Sequence, residues 1–222
     1  MNNILEIYLE EKVYRNKKQQ INLLQNFSLV VEQGEKVAVV GESGSGKSTL
    51  LNILGLIDTS YSGTYTLFGK STQKLSDREL AKLRNKNIGF ALQESALINS
   101  LSIEDNIKLP LIYSKNRTLK EHQRFNDIIE AIGLSYILKK KPLECSGGER
   151  ARAVFARAII MKPQVILADE PTASLDDKNK SKIIDLLFGA AHDFGASVIT
   201  VTHDNIFAHQ HDRVIQLERK EY

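Results

Sequence analysis

The stretch Gly41-Glu42-Ser43-Gly44-Ser45-Gly46-Lys47-Ser48-Thr49 follows a valine-rich run, Glu35-Lys36-Val37-Ala38-Val39-Val40, and precedes Leu50-Leu51-Asn52-Ile53-Leu54, which has the apolar spacing of a buried helix. Strand, glycine-rich turn and helix in that order form the context of a phosphate-binding loop. Glycines let the backbone curl so that successive N–H groups point inward and make a nest for phosphate oxygens. The helix beginning at Lys47 adds the positive end of its dipole. In such a loop Lys47 reaches the β- and γ-phosphates, and the Ser48 hydroxyl ligates Mg2+. The stretch predicts nucleotide binding.

The rest of the composition narrows the setting. A chain of 222 residues makes one large or two small domains and can bury a core. Its 42% hydrophobic and 26% charged residues are those of an ordinary soluble globular protein. A net charge of +3 is too small to argue for nucleic acid or an anionic membrane surface. The single cysteine, Cys145, excludes an internal disulfide and is consistent with a reducing cytosol. No run approaches the ~20 apolar residues that span a bilayer, and the start lacks a basic segment followed by an apolar one, so no signal peptide is expected. Work on a membrane would go through a partner chain.

The opening reads as strands: Leu5 to Tyr14, a polar turn from Asn16 to Gln20, then Phe27 to Val31. Ser62 to Gly69 is a short alternating strand between glycines. Ser76 and Glu79 stand at capping-box spacing for a helix start, and Ile88 to Leu92 is a strand ending at Gln93. From about Ser102 to Leu143 strand signals stop. Leu119 to Ile132 has helical spacing, with Thr118 and Glu121 at capping-box positions, so this segment reads as a helical insertion in an α/β chain. Val165 to Ala168 and Ser197 to Val201 are apolar runs typical of buried parallel strands, with a helix near Lys180 to Phe194 between them and a last strand near Val214 to Leu217.

A second constellation follows Val165-Ile166-Leu167-Ala168, which ends in Asp169-Glu170. Beside a phosphate loop, the first acid helps hold Mg2+ and complements Ser48, and the second can orient or polarise the attacking water. Upstream, Cys145-Ser146-Gly147-Gly148-Glu149-Arg150-Ala151-Arg152 leads into a helix through Ile160. Ser-Gly-Gly opening a helix offers N–H groups, a hydroxyl and a dipole end to an anion. A second phosphate site in one chain has a natural use in completing the site of a neighbouring copy.

These residues resemble the ATP-binding subunit of an ABC transporter along essentially the whole chain. The Walker A motif is Gly41 to Thr49, the Q-loop glutamine is Gln93, and the signature is Cys145 to Glu149. Walker B is Val165 to Asp169, followed by Glu170; the D-loop is Ala173-Ser174-Leu175-Asp176, and the switch histidine is His203. The resemblance implies a single ABC ATPase domain over 1–222. Its P-loop NTPase core would be a mainly parallel sheet flanked by helices, with an N-terminal antiparallel β subdomain and a helical subdomain inserted at about 94–145. It implies ATP and Mg2+ as ligands, with Glu170, His203, Gln93 and Lys47 catalytic, and Ser48, Gln93 and Asp169 around the metal. Nucleotide contacts would come from Tyr14 on the adenine, from Gly41, Glu42, Ser43, Gly44, Ser45, Gly46, Lys47, Ser48 and Thr49, and from Ser146, Gly147, Gly148, Glu149 and Asp176. Two copies would pair head to tail, each ATP lying between the P-loop of one and Ser146-Gly147-Gly148 of the other. The subunit would sit in the cytoplasm on the inner face of the cell membrane, held by a transmembrane permease and not by nucleic acid.

Departures from the family pattern stand beside the matches. Arg15 replaces the small residue that often follows the adenine aromatic, and Arg150-Ala151 replaces paired glutamines after the signature glutamate. Cys145 stands where the signature usually begins with Leu; it either packs in Leu's place or is a thiol activated by a helix N-terminus. His209 and His211, at i and i+2, face apart on a helix and do not read as a metal pair. Leu54 to Asp58, Leu75 to Leu80, Leu83 to Phe90 and Leu101 to Leu111 resemble the macrolide-exporter and lipoprotein-releasing group, which includes peptide-resistance and bacteriocin-export ATPases. Export of peptides or other amphiphiles is the expectation. A cell-division type of ABC ATPase that regulates a membrane complex without moving substrate, and a soluble one acting on DNA or ribosomes, are the other classes weighed.

Overall fold

A computed structural model of the chain describes residues 2–16, 19–91, 97–113, 119–173 and 175–218. The chain is α/β and divides into two compact units, residues 1–84 with 197–222, and residues 85–196.

The first unit begins with a long antiparallel hairpin, β1 (Asn3–Asn16) and β2 (Gln19–Glu32). Pairing runs from Asn3 opposite Glu32 to Asn16 opposite Gln19, so Asn16, Gln19 and Gln20, read from sequence as turn, are ladder residues. Backbone pairing with a neighbour carries these polar residues into the sheet despite their low strand propensity. β4 (Ser62–Leu67) pairs with the other edge of β1, and the two-residue β5 (Lys70–Ser71) closes this sheet. Alternate residues Leu5, Ile7 and Leu9, with Leu29, Val31, Tyr65 and Leu67, are buried on one face. A charged residue joins them: Lys12, 4% exposed, meets Asp58 at 2.7 Å and donates to the Ser60 carbonyl. Removing one partner of such a buried pair leaves a charge without compensation, typically at a cost of about 3–5 kcal/mol.

The same unit holds three parallel strands: β3 (Lys36–Val40) lies between β8 (Ser197–Val201) and β9 (Arg213–Gln216). Every residue of β8 is buried, as expected of a strand covered on both faces. Helix α1 (Lys47–Leu54) follows β3, and its buried Leu50, Leu51, Ile53 and Leu54 form the apolar face seen in the sequence. The Tyr65 hydroxyl donates to the Leu54 carbonyl at 2.8 Å and ties the antiparallel sheet to the end of this helix. Helix α2 (Asp77–Asn87) carries the chain into the second unit; at its start the Glu79 carboxylate accepts from the Ser76 N–H and hydroxyl.

The second unit contains the parallel pair β6 (Ile88–Ala91) and β7 (Val165–Asp169), with Ala91 opposite Ala168. Between them lie α3 (Ile103–Ile112), α4 (Leu119–Ile132), 3-10 turns at Ser135–Ile137 and Pro142–Glu144, and α5 (Gly147–Ile159). The helical spacing read for Leu119 to Ile132 matches α4, whose Phe125, Ile128, Ile129 and Ile132 are buried. Thr118, the cap expected there, lies outside the described residues. Asn106 is fully buried, and its amide bonds the N–H and carbonyl of Ile98 at 2.8 and 3.0 Å, fixing the turn into α3. After β7 comes α6 (Asp177–Phe194), capped by Asp176 and ended by Gly195 in the left-handed conformation. Back in the first unit, the single turn α7 (Asn205–Ala208) joins β8 to β9.

His211, just after α7, is buried. Its Nδ1 faces the Phe207 and Ala208 carbonyls at 3.1 and 3.2 Å, and therefore carries the proton; Nε2 then accepts from the Thr200 hydroxyl at 2.9 Å. Desolvation lowers its pKa below the ordinary 6.5, against the two carbonyls and Asp212, with Lys36 adding to the lowering. As pH falls through 6.5 the unfolded chain takes a proton first, so stability present at neutral pH is lost between 6.5 and the lower folded value. Denaturant midpoints should therefore fall from pH 7.5 to 5.5, and His211→Gln should flatten that decline. An equal decline in the variant would remove His211 as a cause.

Candidate nucleotide site

In the first unit the phosphate loop runs from the end of β3 to the start of α1. Gly46 is the N-cap of α1 at φ 95°, a left-handed geometry that glycine adopts without a Cβ clash. At Gly41 the constraint is proximity: a β-carbon there would collide with the Leu217 carbonyl and lie 2.7 Å from Ser45 Oγ. The Lys47 ammonium donates to the Gly41 and Glu42 carbonyls, both at 2.7 Å, and so lies across its own loop. Ser48 is exposed on the first turn of α1.

The residues fit a triphosphate and its metal. The first turn of α1 carries no acid, whereas α2, α3, α5 and α6 each carry one or two there. The positive end of α1 is thus left for an external anion. Ser45 Oγ is buried with no hydrogen-bond partner among the described residues, a polar atom such a ligand can satisfy.

Beyond β8, Thr202 N donates to the Val39 carbonyl at 3.1 Å. With Val39 opposite Val201, Gly41 and His203 leave their strands at matching positions. His203 is exposed, and Asp204 caps α7 by accepting from Phe207 N at 3.1 Å. The first unit therefore brings the phosphate loop and His203 to the same ends of neighbouring strands. The backbone of Tyr14 lies in β1 opposite Ile21; its side chain is outside the described residues.

The second unit holds Asp169, Glu170, Asp176 and the signature segment. Asp169 is the last residue of β7, and Glu170 follows at φ 46°. A non-glycine residue held in that region costs of order 1–3 kcal/mol, and such strain clusters at functional positions. The Ala173 N–H donates to the Glu170 carbonyl at 3.1 Å and closes the turn. Gln93 and Ser174 lie outside the described residues.

At the start of α5, Ser146 Oγ accepts from Glu149 N at 3.3 Å while the Glu149 carboxylate accepts from Ser146 N at 2.7 Å. Of the N–H groups and hydroxyl of Ser146-Gly147-Gly148, read from sequence as open to an anion, those of Ser146 are thus engaged in a capping box with Glu149. Gly147 and Gly148 supply the remaining ones. Ser-x-x-Glu spacing was the signal for this. The Tyr136 hydroxyl donates to the other Glu149 oxygen at 2.7 Å. That bond, followed by the backbone of Ser146, holds the Glu149 carboxyl below the usual range. Tyr136 was missed in sequence because nothing in its spacing relates it to Glu149.

Cys145 is 6% exposed, and its thiol lies 3.4 Å from the Lys141 carbonyl. Burial, reinforced by Glu149, pushes its pKa up, which opposes the activated thiol and favours packing in place of Leu. Arg150 Nη1 donates to the Cys145 carbonyl at 2.6 Å. Asp176 accepts from Asn179 N at 2.9 Å and Nδ2 at 2.7 Å, and these bonds lower its pKa, the backbone one most.

The family model described as ABC transporter matches residues 24–173. The chain is 40% identical over 207 residues to the lipoprotein-releasing system ATP-binding protein LolD of Francisella tularensis, covering 93% of this chain and 90% of that one. It is 41% identical over 215 residues to the macrolide export ATP-binding/permease protein MacB of Chlorobaculum tepidum, covering 97% of this chain and 33% of that protein, about a third of its length. Among solved structures it resembles the dimeric post-hydrolysis state of the ATP-binding cassette MJ0796 bound to ADP and Pi. The TM-score is 0.89 at 36% identity, covering 98% of this chain and 97% of that one. With a phosphate loop of this geometry and a family match over most of its length, the chain belongs to the ABC transporter family and is one of its ATP-hydrolysing subunits.

Proposed function

We propose that the chain powers a separate membrane-spanning partner that exports, or confers resistance to, peptides or other amphiphilic molecules. Two copies pair head to tail on binding ATP, the phosphate loop of one facing Ser146-Gly147-Gly148 of the other. The observation that carries this is kinship: the chain is 40% identical to a lipoprotein-releasing system ATP-binding protein and 41% identical, over 215 residues, to a macrolide export ATP-binding/permease protein. No helix among the described residues is long and apolar enough to cross a membrane. The dimeric cassette structure supports the pairing.

In this reading Lys47 and the loop N–H groups hold the β- and γ-phosphates, Tyr14 stacks on adenine, and Ser48, Asp169 and Gln93 surround Mg2+. The bound metal supplies charge neutralisation at the phosphates. Glu170 orients the attacking water, His203 contacts the γ-phosphate, and Asp176 couples the two sites. The segment 94–145 is the helical subdomain, and Gln93 relays contact with the partner. The subunit is peripheral on the inner face of the membrane.

Affinity capture of the full chain from detergent-solubilised native membranes should recover a membrane-spanning protein that lacks ATPase motifs. ATP hydrolysis by that complex in vesicles should rise severalfold with an amphiphilic peptide. Recovery of the chain with no membrane protein would overturn the partner, and a rate indifferent to amphiphiles would overturn the substrate class.

A further inference from the structure

Asn179 stands one turn into α6 and touches two motifs that lie far apart in sequence. Its Nδ2 and its backbone N–H hold both oxygens of Asp176. Its amide also lies flat against α5: a β-carbon on Gly148 would sit 2.7 Å from Asn179 Oδ1 and 2.8 Å from Cγ, inside van der Waals contact. Arg152 Nη1 approaches the same Oδ1 at 3.4 Å, and Arg152 Nε is buried without a partner among the described residues. The amide is thus pinned on one side by Asp176 and braced on the other by α5. It cannot swing aside to admit a larger residue without giving up those bonds.

We propose that Asn179 is a positioning residue that locks the glycine end of α5 to Asp176, so that the D-loop and the signature segment of one copy move as one piece. Gly148 is glycine because the amide of its own chain occupies the space a side chain would need. This rests on the reading that Ser146-Gly147-Gly148 closes over ATP held by a second copy. Asn179 itself touches no substrate. It acts on the closing step, after ATP has bound to the phosphate loop.

The test uses the full chain with ATP and Mg2+. Asn179→Ala should leave the affinity of the monomer for a fluorescent ATP analogue within about twofold and the melting temperature nearly unchanged, yet lower kcat about tenfold. Asn179→Ser, whose hydroxyl can still donate to Asp176, should recover most of that loss. Gly148→Ala should also slow turnover, and the Gly148→Ala/Asn179→Ala pair should be no slower than the slower single variant, because the methyl then has room. Wild-type kcat in Asn179→Ala, or losses that multiply in the double variant, would overturn the proposal. A fall in nucleotide affinity and melting temperature matching the fall in kcat would overturn it too, by showing a general structural lesion. Should the wild-type chain fail to dimerise with ATP under any condition, the head-to-tail reading fails and takes this proposal with it; failure of the lock alone leaves that dimer intact.

Discussion

Glu170→Gln should reduce ATP turnover by about 100-fold or more, the usual scale for losing a general base, while ATP still binds. The exchange keeps the size of the side chain and its hydrogen-bonding reach but removes the carboxylate that would accept a proton from water. Gln faces the same cost as Glu in the left-handed backbone at φ 46°, so the turn after β7 should keep its shape. With hydrolysis stopped and binding intact, ATP should accumulate between two copies. Light scattering should report a dimer with ATP and a monomer without it. Undiminished turnover would remove Glu170 from the reaction, and a stable dimer without nucleotide would refute contacts that run through ATP.

Lys47→Ala acts earlier. The ammonium held by the Gly41 and Glu42 carbonyls is the positive charge of the loop, and its natural acceptor is a phosphate. Hydrogen bonds to charged groups contribute about 1.5–3 kcal/mol, so ATP affinity should fall about 10- to 100-fold in a calorimetric titration. The melting temperature without nucleotide should barely move, since the two carbonyls stand at an exposed loop and can turn to water. Full retention of affinity would show that the backbone nest holds the phosphates without help. The two variants separate binding from chemistry: one keeps ATP and does not cleave it, the other fails to hold it.

Much of this architecture is legible in the sequence because its signals are local. The valine run before Gly41 and the apolar face of Leu50, Leu51, Ile53 and Leu54 give β3 and α1 by period alone. Val165 to Ala168 and Ser197 to Val201 are apolar enough to declare buried parallel strands. What escapes is set by contacts across the chain. The hairpin reaches Asn16 and Gln19 through pairing rather than propensity. His211 looks like a neighbour of His209 until Thr200 is seen against its ring. The backbone of Glu170 leaves no compositional trace. Asn179 looks like an ordinary helix-start residue, since only the fold brings it to Gly148.

The contact between Gly41 and Leu217 bears on the order in which the molecule is made. Leu217 donates its N–H to the Val40 carbonyl at 2.7 Å, and its own carbonyl walls the first glycine of the loop. The ribosome releases the loop early and β9 after every other described element, at about 5–20 residues per second. A nascent chain therefore carries its nucleotide motif for many seconds before the wall behind it exists. The finished cradle therefore marks a chain whose β9 has docked.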